Sequence, residues 1–259
     1  MGKNYMRGDF LSYNKRVYPI LFLAVCITVV IAIIFFALWF GNYQSDTKKL
    51  PTFLSEDSNA PTFVIDPGHG GEDGGTFAPD GTAEKVLNLQ VASTVSLLLE
   101  LNGNGVRMTR TDDTLLYDHY NDLENYKGKK KIYDLKNRVR ITEEYENPIY
   151  IGIHMNSFPS SQYKGLQVYY SKNNPDSMAL AMAVQSDTAK YIQEWNRRTV
   201  KGADSSIYIL DNLDCPAVLI ECGFLSNSEE LALLKGSEYR RDLSSVIFLS
   251  AVSSRIDKK

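Results

Sequence analysis

Two of the three histidines in this chain follow short apolar runs directly. His69 sits in Val64-Ile65-Asp66-Pro67-Gly68-His69-Gly70-Gly71, and His154 closes Ile149-Tyr150-Ile151-Gly152-Ile153-His154. Glycines around His69 leave room for a partner to approach closely. A histidine at the end of a strand stands where α/β proteins place their chemistry, at the carboxyl edge of the sheet. Two such histidines plus one carboxylate make a three-ligand metal site with an open position, the pattern of a catalytic zinc. Two glutamates stand out beside them. Glu84 follows Gly81-Thr82-Ala83 at the start of a helical pattern. Glu221 ends the apolar run Ala217-Val218-Leu219-Ile220. A carboxylate leaving a buried strand is partly desolvated, which raises its pKa toward what a general acid or base needs. Taken singly, each has a plainer reading: a hydrogen-bonding histidine, a helix-dipole glutamate, a solvated strand cap. His119 lies in a charged stretch, and exposure is its only expected role.

The elements that position these residues alternate. Residues 62–66, 106–109, 149–153, 165–170, 207–210 and 217–221 read as strands. Helical spacing of apolar residues marks 82–101, a stretch from about 135 to 146, 175–195, 229–235 and 239–256. Gly103-Asn104-Gly105 and Asn147-Pro148 stop two of the helices. Residues 111–131 are charged and rich in Asp, Asn, Tyr and Lys, so a long surface loop is expected there. Strands alternating with helices predict an α/β fold with a mostly parallel twisted sheet flanked by helices.

Ahead of that pattern lies a different one. Residues 19–40 contain no charged side chain. As a helix they would extend about 33 Å, enough to cross a bilayer. No small-x-small cleavage site follows, so an uncleaved anchor is expected rather than a signal peptide. Lys3, Arg7, Lys15 and Arg16 precede the run; Lys48 and Lys49 follow it. That asymmetry places the amino terminus in the cytoplasm. The expected organisation is a cytoplasmic tail over 1–18, a transmembrane anchor over 19–40, a linker over 41–60, and a catalytic domain over 61–259 outside the cell membrane. The chain has 28 Lys and Arg against 31 Asp and Glu. All of the excess acid lies after the apolar run, which argues against a nucleic-acid partner. Cys215 and Cys222 bracket an extended run of about 23 Å, too long for a disulfide between them.

These motifs together resemble the zinc-dependent N-acetylmuramoyl-L-alanine amidases of bacterial cell walls. Asp66-Pro67-Gly68-His69-Gly70-Gly71 with Glu84-Lys85 resembles that family's first block. Thr109-Arg110-Thr111, Leu135-x-x-Arg138-Val139, and His154-Met155-Asn156-Ser157 match the next three. Pro216-Ala217-Val218-Leu219-Ile220-Glu221-Cys222-Gly223-Phe224 matches the last. The resemblance implies hydrolysis of the amide between N-acetylmuramic acid and L-alanine in peptidoglycan. It implies one Zn2+ on His69, Glu84 and His154, with Glu221 as the catalytic acid/base. Asn156 and Arg138 are candidates for positioning substrate or ligands. Departures include Thr142-Glu143 and Cys222, where the family more often has Ala-Asn and Val, Ala or Ser. The wording around Asn156-Ser157-Phe158-Pro159 is similar to the spore-cortex subgroup, which acts during sporulation. A zinc carboxypeptidase of stem peptides and an inactive, membrane-anchored peptidoglycan-binding protein are the alternatives.

Overall fold

A computed structural model describes residues 60–121 and 128–256, together with Phe22, Ile27, Thr28 and Val30. The expected anchor over residues 19–40 therefore lies, apart from those four positions, outside the described residues. Among the described residues no helix is long and apolar enough to cross a membrane.

Six strands form one sheet in the order β2-β1-β3-β6-β4-β5. They are β1 (Thr62–Pro67), β2 (Gly105–Met108), β3 (Pro148–Asn156), β4 (Gln167–Tyr170), β5 (Lys201–Gly202) and β6 (Ala217–Phe224). All neighbouring pairs are parallel except β4 and β6, which run antiparallel. The mostly parallel α/β sheet expected from the sequence is therefore present, with one reversed strand.

Helices cover both faces. On one side are α1 (Glu84–Leu101), α3 (Asp176–Tyr191), α5 (Ser228–Lys235) and α6 (Ser237–Ile256). They pack over Phe63, Ile65, Ile151, Ile153, Val218 and Ile220. On the other side α2 (Lys130–Glu143) and α4 (Tyr208–Asn212) cover Val64, Tyr150 and Leu219. Strand side chains alternate between faces, so the two sets come from adjacent positions of the same three strands. The central strands are apolar on both faces because both are covered. Each fully buried Val, Ile or Leu contributes about 1.5–3 kcal/mol, so these strands hold a rigid floor under whatever their ends carry.

One expected strand is a helix. Residues 207–210 belong to α4. A four-residue apolar run has no periodicity to separate the two conformations. The buried set is Ile209, Leu210 and Leu213. That spacing places all three on one side of a single helical turn. The two-residue β5 was not expected, and nothing in Lys201-Gly202 marks a strand. Cys215 and Cys222 are both free thiols, as their separation required.

Candidate metal centre

His154 and Glu221 are register partners on β3 and β6. Adjacent strands lie about 4.8 Å apart, so paired residues share a face and a level. Both project on the α2/α4 face, at the carboxyl edge of the sheet. His69 reaches the same place from the turn after β1, and Glu84 from the first turn of α1. Ligand atoms of His69, Glu84 and His154 all lie within 4.8 Å of one another. Glu84 Oε1 is 3.3 Å from His69 Nε2 and 3.0 Å from His154 Nδ1. The two imidazoles meet edge to face, with centroids 5.1 Å apart.

Glycines make this convergence possible. A side chain at Gly68 would run into the His154 ring, with its first carbon 2.1 Å from Cε1. One at Gly75 would lie 2.5 Å from Glu84 Oε2 and 2.7 Å from His69 Cδ2. His69 itself has φ of 62°. That left-handed backbone costs a non-glycine residue about 1–3 kcal/mol and needs surrounding structure to hold it.

Two buried arginines hold it. Arg138 donates from Nη2 to the His69 carbonyl at 2.9 Å and from Nη1 to that of Pro67 at 3.1 Å. Arg110 donates from Nε to Pro67 O at 2.8 Å and from Nη2 to Gly68 O at 2.9 Å. Three successive carbonyls of the turn are thus fixed by guanidinium groups. Arg138 is only 1% exposed. Its charge is balanced by Asp134, at 2.7 Å from Nε, and by Asp66, which contacts Nη1. Asp66 also accepts from Thr109 Oγ1 and the Tyr150 hydroxyl. Burial works against ionising Asp66, but Arg138, Thr109 and Tyr150 outweigh it and hold its pKa below the usual range. This arrangement places Arg138 against the turn that carries His69, and in the lining of the small pocket beside His69 and His154.

The charges around the centre are strongly coupled. Burial works to lower the His69 pKa, yet hydrogen bonds to Asp73 and Glu84 push it up to about 9. The His69 hydrogen bond in turn draws Asp73 down to about 2. For Glu84, burial opposes ionisation, but His154 and His69 outweigh it and hold the carboxyl well below the ordinary range. Its Oε2 accepts from Thr76 N at 2.9 Å, and its Oε1 from Met155 N at 3.1 Å. Glu221 goes the other way. Burial first, and Glu84's charge after it, push its pKa up to about 7, against the pull of His154 and His69. Its Oε2 is buried with no hydrogen-bond partner among the described residues.

The donor set fits a zinc ion. Two imidazoles and one carboxylate match the catalytic pattern. Asp73 lies 3.0 Å from His69 Nδ1, where a carboxylate would orient the imidazole and set its tautomer if a metal were bound. The orphaned Glu221 oxygen leaves a proton acceptor beside the cluster and outside it. Asn156 ends β3 two residues beyond His154, its Oδ1 taken by Ser157 N at 2.8 Å. His119 lies away from the cluster, edge-on to Tyr120.

Asp66 and Arg110 stand in the quoted motif blocks, but the sequence assigns no role to them or to Asp73. Asp66 carries a signal: it is a charged residue directly after the apolar run Phe63-Val64-Ile65, still within β1. Asp73 carries a weaker one, four residues beyond His69 in a glycine-rich turn.

A family model described as N-acetylmuramoyl-L-alanine amidase matches residues 63–251. The germination-specific N-acetylmuramoyl-L-alanine amidase of Bacillus subtilis (strain 168) is 34% identical over 188 residues, covering 72% of this chain and 76% of that protein. The N-acetylmuramoyl-L-alanine amidase LytC of the same organism is 26% identical over 215 residues, 82% of this chain and 39% of LytC. Among solved structures, the CwlD amidase from Clostridioides difficile, in complex with the GerS lipoprotein, superposes with a TM-score of 0.70 at 35% identity. That match covers 76% of this chain and 99% of the other.

Proposed function

This chain belongs to the N-acetylmuramoyl-L-alanine amidase family, and from that premise we propose that it cleaves the amide between N-acetylmuramic acid and L-alanine in peptidoglycan through one zinc ion on His69, Glu84 and His154. The observation that carries this reading is the convergence of those three residues within 4.8 Å at the carboxyl edge of the sheet, with Glu221 on the neighbouring strand. Zinc at such a site supplies Lewis acidity, making water a nucleophile at neutral pH and stabilising the oxyanion that develops on the carbonyl. Glu221 takes the proton of the attacking water and delivers it to the departing L-alanine nitrogen. Asp73 keeps the His69 proton on Nδ1, leaving Nε2 free to bind metal. Asn156 lies at the same edge and is assigned to positioning substrate. The relative named as germination-specific supports spore peptidoglycan as the substrate.

Metal analysis tests the site. The isolated protein should hold close to one zinc per chain, and His154→Ala should lose both zinc and activity. His69 has its pKa near 9 before metal binds, so it carries a proton at pH 7.5 that zinc must displace. Uptake at that pH should release about one proton from this residue, and apparent affinity should rise about tenfold per pH unit up to about 9. Full zinc occupancy in His154→Ala would sink the ligand assignment. Product analysis on spore and vegetative peptidoglycan then separates the readings: an amidase frees L-alanine amino termini, whereas a carboxypeptidase trims the stem from its other end.

The charge-free run over residues 19–40 supports a single-pass anchor with the enzyme outside the cell membrane. Protease added to intact protoplasts should then degrade the catalytic domain. A protected domain, or one recovered free with its amino terminus near residue 41, would remove the anchor.

A further inference from the structure

Beside the catalytic edge lies a groove of about 410 Å³ lined by Tyr163, Lys164, Trp195, Arg197 and Arg198, among others. Its place follows from the strand register. Gln167 pairs with Glu221, so the segment just before β4 lies level with the end of β6. β5 runs parallel to β4, with Tyr169 opposite Lys201. Arg198, three residues before Lys201, therefore sits at that same edge. It is two strand spacings from Glu221, on the order of 10 Å. Contacts agree with this placement. The Arg198 guanidinium lies 4.8 Å over the Phe224 ring, and its Nε donates to Lys164 O at 2.9 Å. Gln167 Nε2 donates to Thr199 O at 2.6 Å. Tyr169, one strand from Glu221, feels the charges of both Glu221 and Arg198.

The groove is built rather than incidental. Its floor is Asn196, which is buried and donates to Leu166 O at 3.0 Å and to Gln193 Oε1 at 2.7 Å. Gly165, with φ of 98°, leaves the space Asn196 fills. Its walls present large apolar surface to solvent: Trp195 is 42% exposed and Tyr163 41%. Three cations rim it. Lys164 is partly neutralised by Glu229 at 3.4 Å and lies 4.7 Å over the Trp195 ring. Arg197 is exposed, and it donates through Nη1 to the backbone of Glu194 and Asn196. Arg198 gives one of its nitrogens to Lys164 O, and among the described residues neither Nη group has an acceptor. Two guanidinium groups with free donors beside an exposed indole form a receptor for a carboxylate on a part-apolar chain.

We propose that this groove is the subsite for the peptide stem, with Arg197 and Arg198 on the free α-carboxylate that a γ-linked second residue leaves just beyond the scissile amide. The proposal rests on the amidase reading above. The reach is right. Two stem residues add at most about 7 Å of extended chain, the α-carboxylate branches from the second residue's Cα, and the long Arg198 side chain spans the rest of the distance from its own backbone. Trp195 and Tyr163 then pack against the aliphatic parts of the stem.

Two muramyl-peptide substrates test it, identical except that the α-carboxylate of the second stem residue is free in one and a primary amide in the other. The amide keeps a carbonyl acceptor and loses only the charge, and charge-assisted hydrogen bonds are the stronger ones, so the zinc-loaded protein should prefer the free acid about tenfold in kcat/KM, with the difference in KM. In Arg198→Gln that preference should fall to about one, and sodium chloride should weaken it in the unaltered protein. Arg198 also packs on Phe224, so Arg197→Gln serves as the second variant; Arg197 is exposed, and its loss should cut the preference severalfold without lowering the melting temperature. Equal use of both substrates by the unaltered protein would overturn the subsite while leaving the amidase intact. So would full preference in both variants. Cleavage of neither substrate would overturn the amidase reading itself, and the subsite with it.

Discussion

Glu221→Gln should leave a folded, zinc-loaded protein that releases almost no amino termini from peptidoglycan. The change keeps the size of the side chain and removes its titratable proton. Loss of a positioned general acid/base costs about 10²–10⁴-fold in rate, or about 3–5 kcal/mol of barrier. The fall should appear in kcat, with KM little changed, because Glu221 acts on protons in flight rather than on bound substrate. Its setting suits that work. In the metal-free protein its pKa is pushed up to about 7, first by burial and then by Glu84's charge. A dication on the neighbouring residues would draw it down again, so a zinc-loaded enzyme would hold Glu221 as the base at neutral pH and protonate it only transiently. The rate should therefore fall on the acid side as Glu221 takes up a proton, and that limb should vanish in the variant. A zinc-free Glu221→Gln would make Glu221 a ligand and displace one of the other three. Unchanged turnover would remove it from the reaction.

Much of this site could be read before any coordinates, for a physical reason. His69, His154 and Glu221 terminate apolar runs, and strand termini are the one place where local sequence predicts a position in three dimensions. Parallel register then makes neighbours of residues 67 positions apart, as with His154 and Glu221. What stayed hidden depends on tertiary contact alone. The motif Leu135-x-x-Arg138-Val139 marks Arg138 for positioning substrate or ligands, but its contact with the His69 carbonyl follows only from the packing of α2 against the sheet. The groove is assembled from two separate segments, around 163 and 197, neither of which carries a motif signal. The strand expected over 207–210 failed for the complementary reason: four apolar residues do not specify a period, and burial against Tyr150 and Leu219 selected the helix.

Arg138→Met should be among the most damaging substitutions in the domain. The side chain is similar in length and apolar, so packing is largely kept while the charge is lost. Asp66 is fully buried, and it would then keep only Thr109 and Tyr150 as partners. Breaking a buried ion pair from one side costs about 3–5 kcal/mol, a large part of the roughly 5–15 kcal/mol that holds a domain together. The urea midpoint should fall accordingly, and zinc affinity with it, since the His69 carbonyl loses its donor and the left-handed turn its restraint. A second change separates charge from packing. Adding Asp66→Asn removes the stranded carboxylate, so the double variant should recover part of the stability while zinc binding stays weak. Acid gives an independent check. Asp66 has a folded-state pKa held below the ordinary 3.8. Its contribution is therefore fully present above about pH 4 and is lost as pH falls through the depressed folded value. Arg138→Met removes the main group that depresses it, so the variant's stability should depend less steeply on pH in that acid range. A variant with unaltered urea midpoint and unaltered zinc affinity would show that the turn carrying His69 holds itself, and the clamp described for Arg138 would have to be abandoned.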